Sequence, residues 1–236
     1  MTDPISGPVL ALDSSTRGGS VAVGVDGRVA AERVLEATVG ASSLLMPAVD
    51  EAVRAAGLAP RDLAAVVVSG GPGSFTGLRI AAATAKALVR ALDVPLFAFS
   101  GLMAAAATHR HLARPVCALF DARNREVFAG CWSFTEDGAA DELLAPCILK
   151  VDDVILRVRE ASPLFTGDGA ALHRGELEAA FGAGCVAAEA DESPAAGLLW
   201  LARTMTEEGR VAHPAAWEPE YLRASGAERI AAARGG

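Results

Sequence analysis

Aromatic side chains are scarce: Phe, Trp and Tyr make up 5 % of a 236-residue chain, with a single tyrosine. The 52 % hydrophobic content therefore comes mostly from Ala, Val and Leu, which favours helices packed closely on a sheet over a cage of rings around a ligand. Cysteines are few and scattered. Cys117, Cys131, Cys147 and Cys185 include no Cys-x-x-Cys pair, so neither a zinc site nor a thioredoxin-like centre is suggested, and four buried, reduced thiols are expected. Positive charge is in short supply as well. A net charge of −8 and a pI near 5.0 argue against a lone nucleic-acid binder, because phosphate contacts need clustered Lys and Arg. No segment approaches about eighteen uninterrupted apolar residues, and Met1-Thr2-Asp3-Pro4-Ile5 lacks a basic region followed by an apolar stretch; a soluble, cytoplasmic chain is expected. Folding at this length buries roughly 70–75 % of the unfolded surface, enough for one domain or two small ones.

Against these absences stands one glycine-rich run, Ser69-Gly70-Gly71-Pro72-Gly73-Ser74-Phe75-Thr76-Gly77-Leu78-Arg79. It follows the apolar strand pattern Ala64-Ala65-Val66-Val67-Val68 and precedes an alanine-rich helical pattern from Leu78 to Leu92, so it reads as a strand-to-helix turn. Glycines there can take positive φ and uncover backbone N–H groups, and Ser74 or Thr76 can cap the helix, which would suit an anion or a closely packed partner. Two familiar phosphate signatures fail. The Gly-x4-Gly-Lys-Ser/Thr loop is missing from every register of Gly70, Gly71 and Gly73, and Thr76 stands where the third glycine of a dinucleotide fingerprint belongs. The turn then reads as a hinge-like element that launches and orients a helix.

The first half of the chain runs as strand Pro8–Asp13, strand Ser20–Val25, an Asp26-Gly27 hairpin turn, strand Arg28–Leu35, a helix from about Ser42 to Ala56, the strand before the glycine turn, and the helix after it. The second half repeats this order. Strands Pro115–Asp121, Glu126–Phe134 and Leu143–Lys150 surround an Asp137-Gly138 turn, then come a helix from Asp152 to about Glu160, the strand Pro163–Thr166, the turn Gly167-Asp168-Gly169 and a helix beginning near Ala170. Two tandem βββαβα lobes, 1–107 and 108–236, joined by a helix starting near Ser100, are the layout of the actin-like, sugar-kinase and heat-shock ATPase (ASKHA) α/β fold. In that layout Asp13 and Asp121, each closing the first strand of a half, would face a cleft between the lobes.

Several segments together resemble the TsaB (YeaZ) family. They are Leu12-Asp13-Ser14-Ser15-Thr16, Leu44-Leu45-Met46-Pro47, Gly71 to Ile80 with Lys86, Asp121-Ala122-Arg123 with Glu126-Val127-Phe128, and Pro219-Glu220-Tyr221-Leu222-Arg223. The resemblance implies a non-catalytic scaffold subunit without a cofactor or metal of its own, needed to form N6-threonylcarbamoyladenosine (t6A) in tRNA. It implies pairing with the metal-holding transferase TsaD and with the ATPase TsaE, contact with tRNA only through the complex, and self-pairing through the same helices when TsaD is absent. Those helices are Ser42–Ala56 and Thr76–Leu92, and the residues carried over for the contact are Leu44, Leu45, Pro47, Val49, Thr76, Arg79, Ala81, Ala82, Ala85, Lys86 and Val89. Leu78, Ala81, Ala82, Ala85, Leu88, Val89 and Leu92 form one broad apolar stripe, while Ala83 and Ala87 leave a small-residue strip on which another helix could lie closely. The chain departs from the family at Ala41-Ser42-Ser43, where His-Ser-Glu is frequent, and at Ala81 and Ala87, where glycine is common.

Asp13, Ser14, Ser15 and Thr16 resemble the first phosphate turn of an actin-like ATPase, and with Gly71, Gly73, Ser74, Asp121 and Arg123 they are the candidate nucleotide or cleft residues. Arg79 or Arg123 could pair with Asp13 or Asp121. Two rival functions stay open at this point: an independent ATPase or small-molecule kinase of the same fold, and a metal-dependent glycopeptidase-like enzyme. The second has little behind it, since His109 and His111 would point apart on a helix and His173 and His213 are isolated.

Overall fold

The computed structural model describes residues 5–16, 18–35, 41–135, 138–188 and 193–223, with side chains in the first helix from residue 44 onward. Arg17, Asp137, the side chains of Ala41-Ser42-Ser43 and the tail after Arg223 lie outside the described residues. The first half contains β1 (Val9–Asp13), β2 (Ser20–Val25), β3 (Arg28–Val34), α1 (Ala41–Ala55), β4 (Ala65–Ser69), α2 (Phe75–Leu92) and β5 (Leu96–Phe99). Its sheet has the order β3-β2-β1-β4-β5, antiparallel through the β1–β2–β3 meander and parallel from β1 to β4 and from β4 to β5. The expected βββαβα order omits β5. Only four residues long and squeezed between Val94-Pro95 and Ser100, it is too short to show a period.

The second half repeats the plan with β6 (Val116–Asp121), β7 (Glu126–Phe134), β8 (Ala140–Lys150), α4 (Val151–Val158), β9 (Leu164–Thr166), α5 (Asp168–Leu172) and α6 (Arg174–Phe181). Its sheet order is β8-β7-β6-β9, with β6 antiparallel to β7 and parallel to β9, as β1 is to β2 and β4. Strand alternation directs Leu10, Leu12, Val66 and Val68 to one face of the first sheet, where they pack with Leu45, Val49, Ala81 and Ala85 from α1 and α2. The alternate residues Ala11, Ala22, Ala65 and Val67 meet Leu198 and Leu201 of α7 (Pro194–Thr204) on the other face.

Between the sheets lies α3 (Gly101–Thr108), capped by Ser100, whose Oγ accepts from Met103 N–H at 3.4 Å. It is apolar on all sides, as a helix enclosed on all sides must be. Ala104 and Ala107 belong to the core under the first sheet, and Leu102, Ala105 and Ala106 to the core on the second. A Cβ on Gly197 of α7 would lie 2.7 Å from the Ala104 carbonyl carbon, so glycine there lets α7 sit directly on α3. The layers are thus α1/α2, first sheet, α3/α7, second sheet, α4/α5/α6. The chain between 193 and 204 belongs by packing to the first sheet, although it follows the whole second βββαβα unit. Cys117, Cys131 and Cys185 are buried and all four thiols are free, but Cys147 is half-buried near the free edge of β8.

Candidate functional site

β1 delivers Asp13 into the interior. Its Oδ1 accepts from Ser15 N–H at 3.2 Å and from the Ser15 hydroxyl at 2.6 Å. The other oxygen, Asp13 Oδ2, and the Ser14 and Ser69 hydroxyls have no hydrogen-bond partner among the described residues, and all three residues are fully buried. Ser69 Oγ lies close enough to favour the Asp13 charge without reaching hydrogen-bond geometry. Burial pushes the Asp13 carboxyl above its usual value; the Ser15 bonds oppose this, and the negative charge of Asp168 adds to it.

The glycine turn packs on the two serines that follow this acid. Ser74 N–H donates to the Ser15 carbonyl at 2.7 Å; a Cβ on Gly73 would fall 2.7 Å from Ser15 Cβ, and one on Gly77 would overlap the Ser14 carbonyl. Further backbone bonds run from Gly70 N–H to Phe99 O at 2.7 Å, from Gly101 N–H to Gly71 O at 2.9 Å, and from Glu220 N–H to Gly70 O at 2.7 Å. Ser74 caps α2 by accepting from Gly77 N–H at 3.3 Å. The hinge-like reading is corrected: a turn bonded to β5, α3 and the C-terminal segment is a fixed junction, and its glycines serve contact between backbones.

Across the interior the second lobe makes a matching junction. Asp121 Oδ1 accepts from Arg123 N–H at 2.7 Å, and Asp121 N–H donates to Asp168 Oδ1 at 3.0 Å. A Cβ on Gly169 would lie 2.9 Å from the Leu119 carbonyl, the counterpart of Gly77 against Ser14. The cleft between the lobes has a volume of about 460 Å³ and is lined by Thr16, Val34, Asp168 and Leu172 among others. Asp13 and Ser14, expected to face it, are fully buried and do not line it, and Ser15 is likewise buried; Gly77 closes on Ser14 and Gly73 on Ser15. Gly71 is buried, Gly73 and Asp121 half-buried, and Ser74 and Arg123 exposed. Nor does Arg79 reach either acid. Its guanidinium lies 4.0 Å from the Phe75 ring centre and 5.9 Å from that of Tyr221.

The helix face needs the largest correction. Leu45, Val49, Ala81, Ala85 and Val89, expected at a partner contact, are enclosed in the first core, and Ala82 is buried as well, because the broad apolar stripe faces the sheet. Leu44 and Lys86 are half-buried, the latter paired with Glu218 at 2.9 Å. Pro47, Thr76 and Arg79 are exposed, and so are Met46 of α1 and Ala83, Ala87 and Ala91 of α2, with Ile80 half-buried between them. Thr76, Ile80, Ala83, Ala87 and Ala91 recur at helical spacing, forming one outward stripe of mostly small side chains.

The segment from Trp217 to Arg223 is a strap between the lobes. Trp217 packs on the first core and Tyr221 on Phe75, with ring centres 5.0 Å apart. Leu222 packs on the second sheet, and the Arg223 guanidinium donates to the Ala122 carbonyl and pairs with Glu126. The histidines are dispersed: His109 Nε2 meets Thr166 Oγ1 at 3.1 Å, His111 and His213 are exposed, and His173 Nδ1 lies 3.4 Å from Glu176. Among the described residues no group of three His, Cys, Asp or Glu is arranged to hold a metal ion.

This arrangement has relatives. A family model described as "TsaD: tRNA N6-adenosine threonylcarbamoyltransferase" matches residues 36–229. A Bacillus subtilis protein named tRNA threonylcarbamoyladenosine biosynthesis protein TsaB is 30 % identical over 223 residues, covering 93 % of this chain and 96 % of its own. The chain belongs to the TsaB family. The Escherichia coli TsaB is 32 % identical over 65 % of this chain and 67 % of its own, and the solved YeaZ structure from Pseudomonas aeruginosa, 27 % identical, covers 92 % of this chain and all of its own with a TM-score of 0.73. An (R)-2-hydroxyglutaryl-CoA dehydratase component from Acidaminococcus fermentans, 12 % identical with a TM-score of 0.50, shares the fold alone. TsaB membership and the two repeated units place the chain in the ASKHA fold and in t6A biosynthesis.

Two features of this TsaB-family chain escape reasoning from sequence. Asp168, the acid whose charge Asp13 feels, sits in a three-residue Gly-Asp-Gly turn that reads as a weak signal; only its register against Asp121 gives it meaning. The strap motif Pro219–Arg223 is visible as a match to the TsaB family, but its contacts join residues more than 90 positions apart, and no local period reports them.

Proposed function

We propose that this chain is a non-catalytic scaffold subunit for t6A formation in the cytoplasm, pairing with TsaD through the outward faces of α1 and α2 and working with the ATPase TsaE. The carrying observation is the exposed stripe Thr76, Ala83, Ala87 and Ala91, with Ile80 half-buried in it, beside Met46 and Pro47. Small side chains let a second helix approach closely, and a self-complementary stripe of this kind also accounts for self-pairing when TsaD is absent. TsaD and TsaE would supply the chemistry and bring the tRNA. In support, Asp13, which stands where an actin-like ATPase holds hydrated magnesium, is fully buried with one oxygen engaged by Ser15.

The test is co-purification with TsaD. Ala83→Arg and Ala87→Arg place a long charged side chain on an exposed site and should weaken the pairing at least about tenfold, roughly 1.4 kcal/mol, with thermal unfolding unchanged. Loss of t6A from tRNA nucleosides in cells carrying only these variants should follow. Variants that co-elute with TsaD as wild type does would overturn the assignment of this face.

A further inference from the structure

A second cavity lies away from both the cleft and the α1/α2 face. It opens at the end of the first sheet opposite Asp13, on the α7 side, with a volume of about 730 Å³, within the range of small-molecule sites. Its apolar walls are Ile5, Val9, Leu199 and the Trp200 ring. A Cβ on Gly24 would press on Leu199 at 3.1 Å, so glycine at the end of β2 keeps the space open.

Charge is distributed unevenly around it. Arg28, Arg110 and Arg203 line the cavity against a single acid, Asp26, in a chain whose net charge is −8. Arg203 is held at the rim by donating to Gly27 O at 3.1 Å. Arg110 is the informative one. Its guanidinium lies 5.1 Å from the Trp200 ring centre and donates to Ala107 O at 3.0 Å, and no carboxylate pairs with it among the described residues. Burial alone lowers its pKa, yet guanidinium stays charged at neutral pH. Arg110 is exposed overall, and a cation with no carboxylate partner among the described residues, stacked on an indole at the cavity wall, is attractive to an anion.

We propose that this cavity binds a small carboxylate with a flat apolar body, the body lying against Trp200 and Leu199 and the carboxylate meeting Arg110, with Arg28 and Arg203 guarding the mouth. The site is independent of the pairing proposed for α1 and α2, since it lies on the opposite face of the first sheet.

Calorimetric titration of the full chain with 2-naphthoate, and with the neutral 2-naphthalenemethanol as control, tests this. The carboxylate should bind at one site, at least about tenfold more tightly than the alcohol. Arg110→Gln should remove that preference and leave alcohol binding unchanged, and Arg28→Gln, at the solvent side, should reduce it several-fold without affecting the fold. Absence of saturable naphthoate binding at millimolar concentration, equal affinity for the alcohol, or indifference of both variants would each overturn the proposal.

Discussion

At the scale of single residues, Asp13 is the most consequential. Its carboxyl is raised by burial, then by Asp168, so the folded chain holds this proton to higher pH than the unfolded chain does. Stability from the protonated form is therefore complete below the unfolded carboxyl's range, near pH 4, and is lost as pH rises towards the folded value; above that the native state carries a buried charge. Asp13→Asn keeps an oxygen to accept from Ser15 and gives Ser14 or Ser69 a donor. In urea unfolding it should match wild type at low pH and exceed it by roughly 1–3 kcal/mol at neutral pH. A difference independent of pH would mean that the ionised acid is fully satisfied. That Asp13 matters was legible, because an acid closes the first strand of each half. That it is fully buried was not, since the burial depends on packing between distant segments, such as Gly73, Gly77 and Gly101 on the serines beside it.

At the scale of elements, α2 and the strap form one unit. Lys86 pairs with Glu218, Phe75 stacks on Tyr221, and Glu220 N–H closes on the glycine turn, so the first turns of α2 are held by the chain's last described residues. Tyr221→Ala should remove about 0.5–1.5 kcal/mol of ring contact beyond the area lost and accelerate amide hydrogen exchange at Glu220 and in the first turn of α2, leaving β6 and β7 protected. Unchanged exchange at Glu220 would show that Trp217 and Glu218 hold the strap alone. Both helices were plain in the sequence, α2 most of all through its capping serine and alanine-rich spacing. Which alanines face inward was harder: Ala81 and Ala83 are chemically identical, and only the position of the sheet separates the buried one from the exposed one.

At the scale of the molecule, the duplicated order βββαβα was readable from strand-ending acids and hairpin turns, whereas the return of α7 to the first sheet was not, because a small apolar helix carries no mark of which sheet it covers. Leu198, Leu201 and Ala202 complete the core over Ala11, Ala22 and Val67. Residues 1–107 expressed alone should therefore expose an apolar sheet face and aggregate or bind hydrophobic dyes, while the full chain unfolds in one cooperative thermal transition. A soluble, cooperatively folding 1–107 fragment would contradict this. The paired junctions, Gly73 and Gly77 on Ser14 and Ser15, Gly167 and Gly169 on Leu119 and Phe120, have a bearing on descent. In each, what meets the glycine includes a carbonyl that every amino acid carries, so neighbouring side chains could be replaced over generations without disturbing the fit. The two halves can thus lose all likeness in their letters and still be recognised as copies by where they cannot tolerate a methyl group.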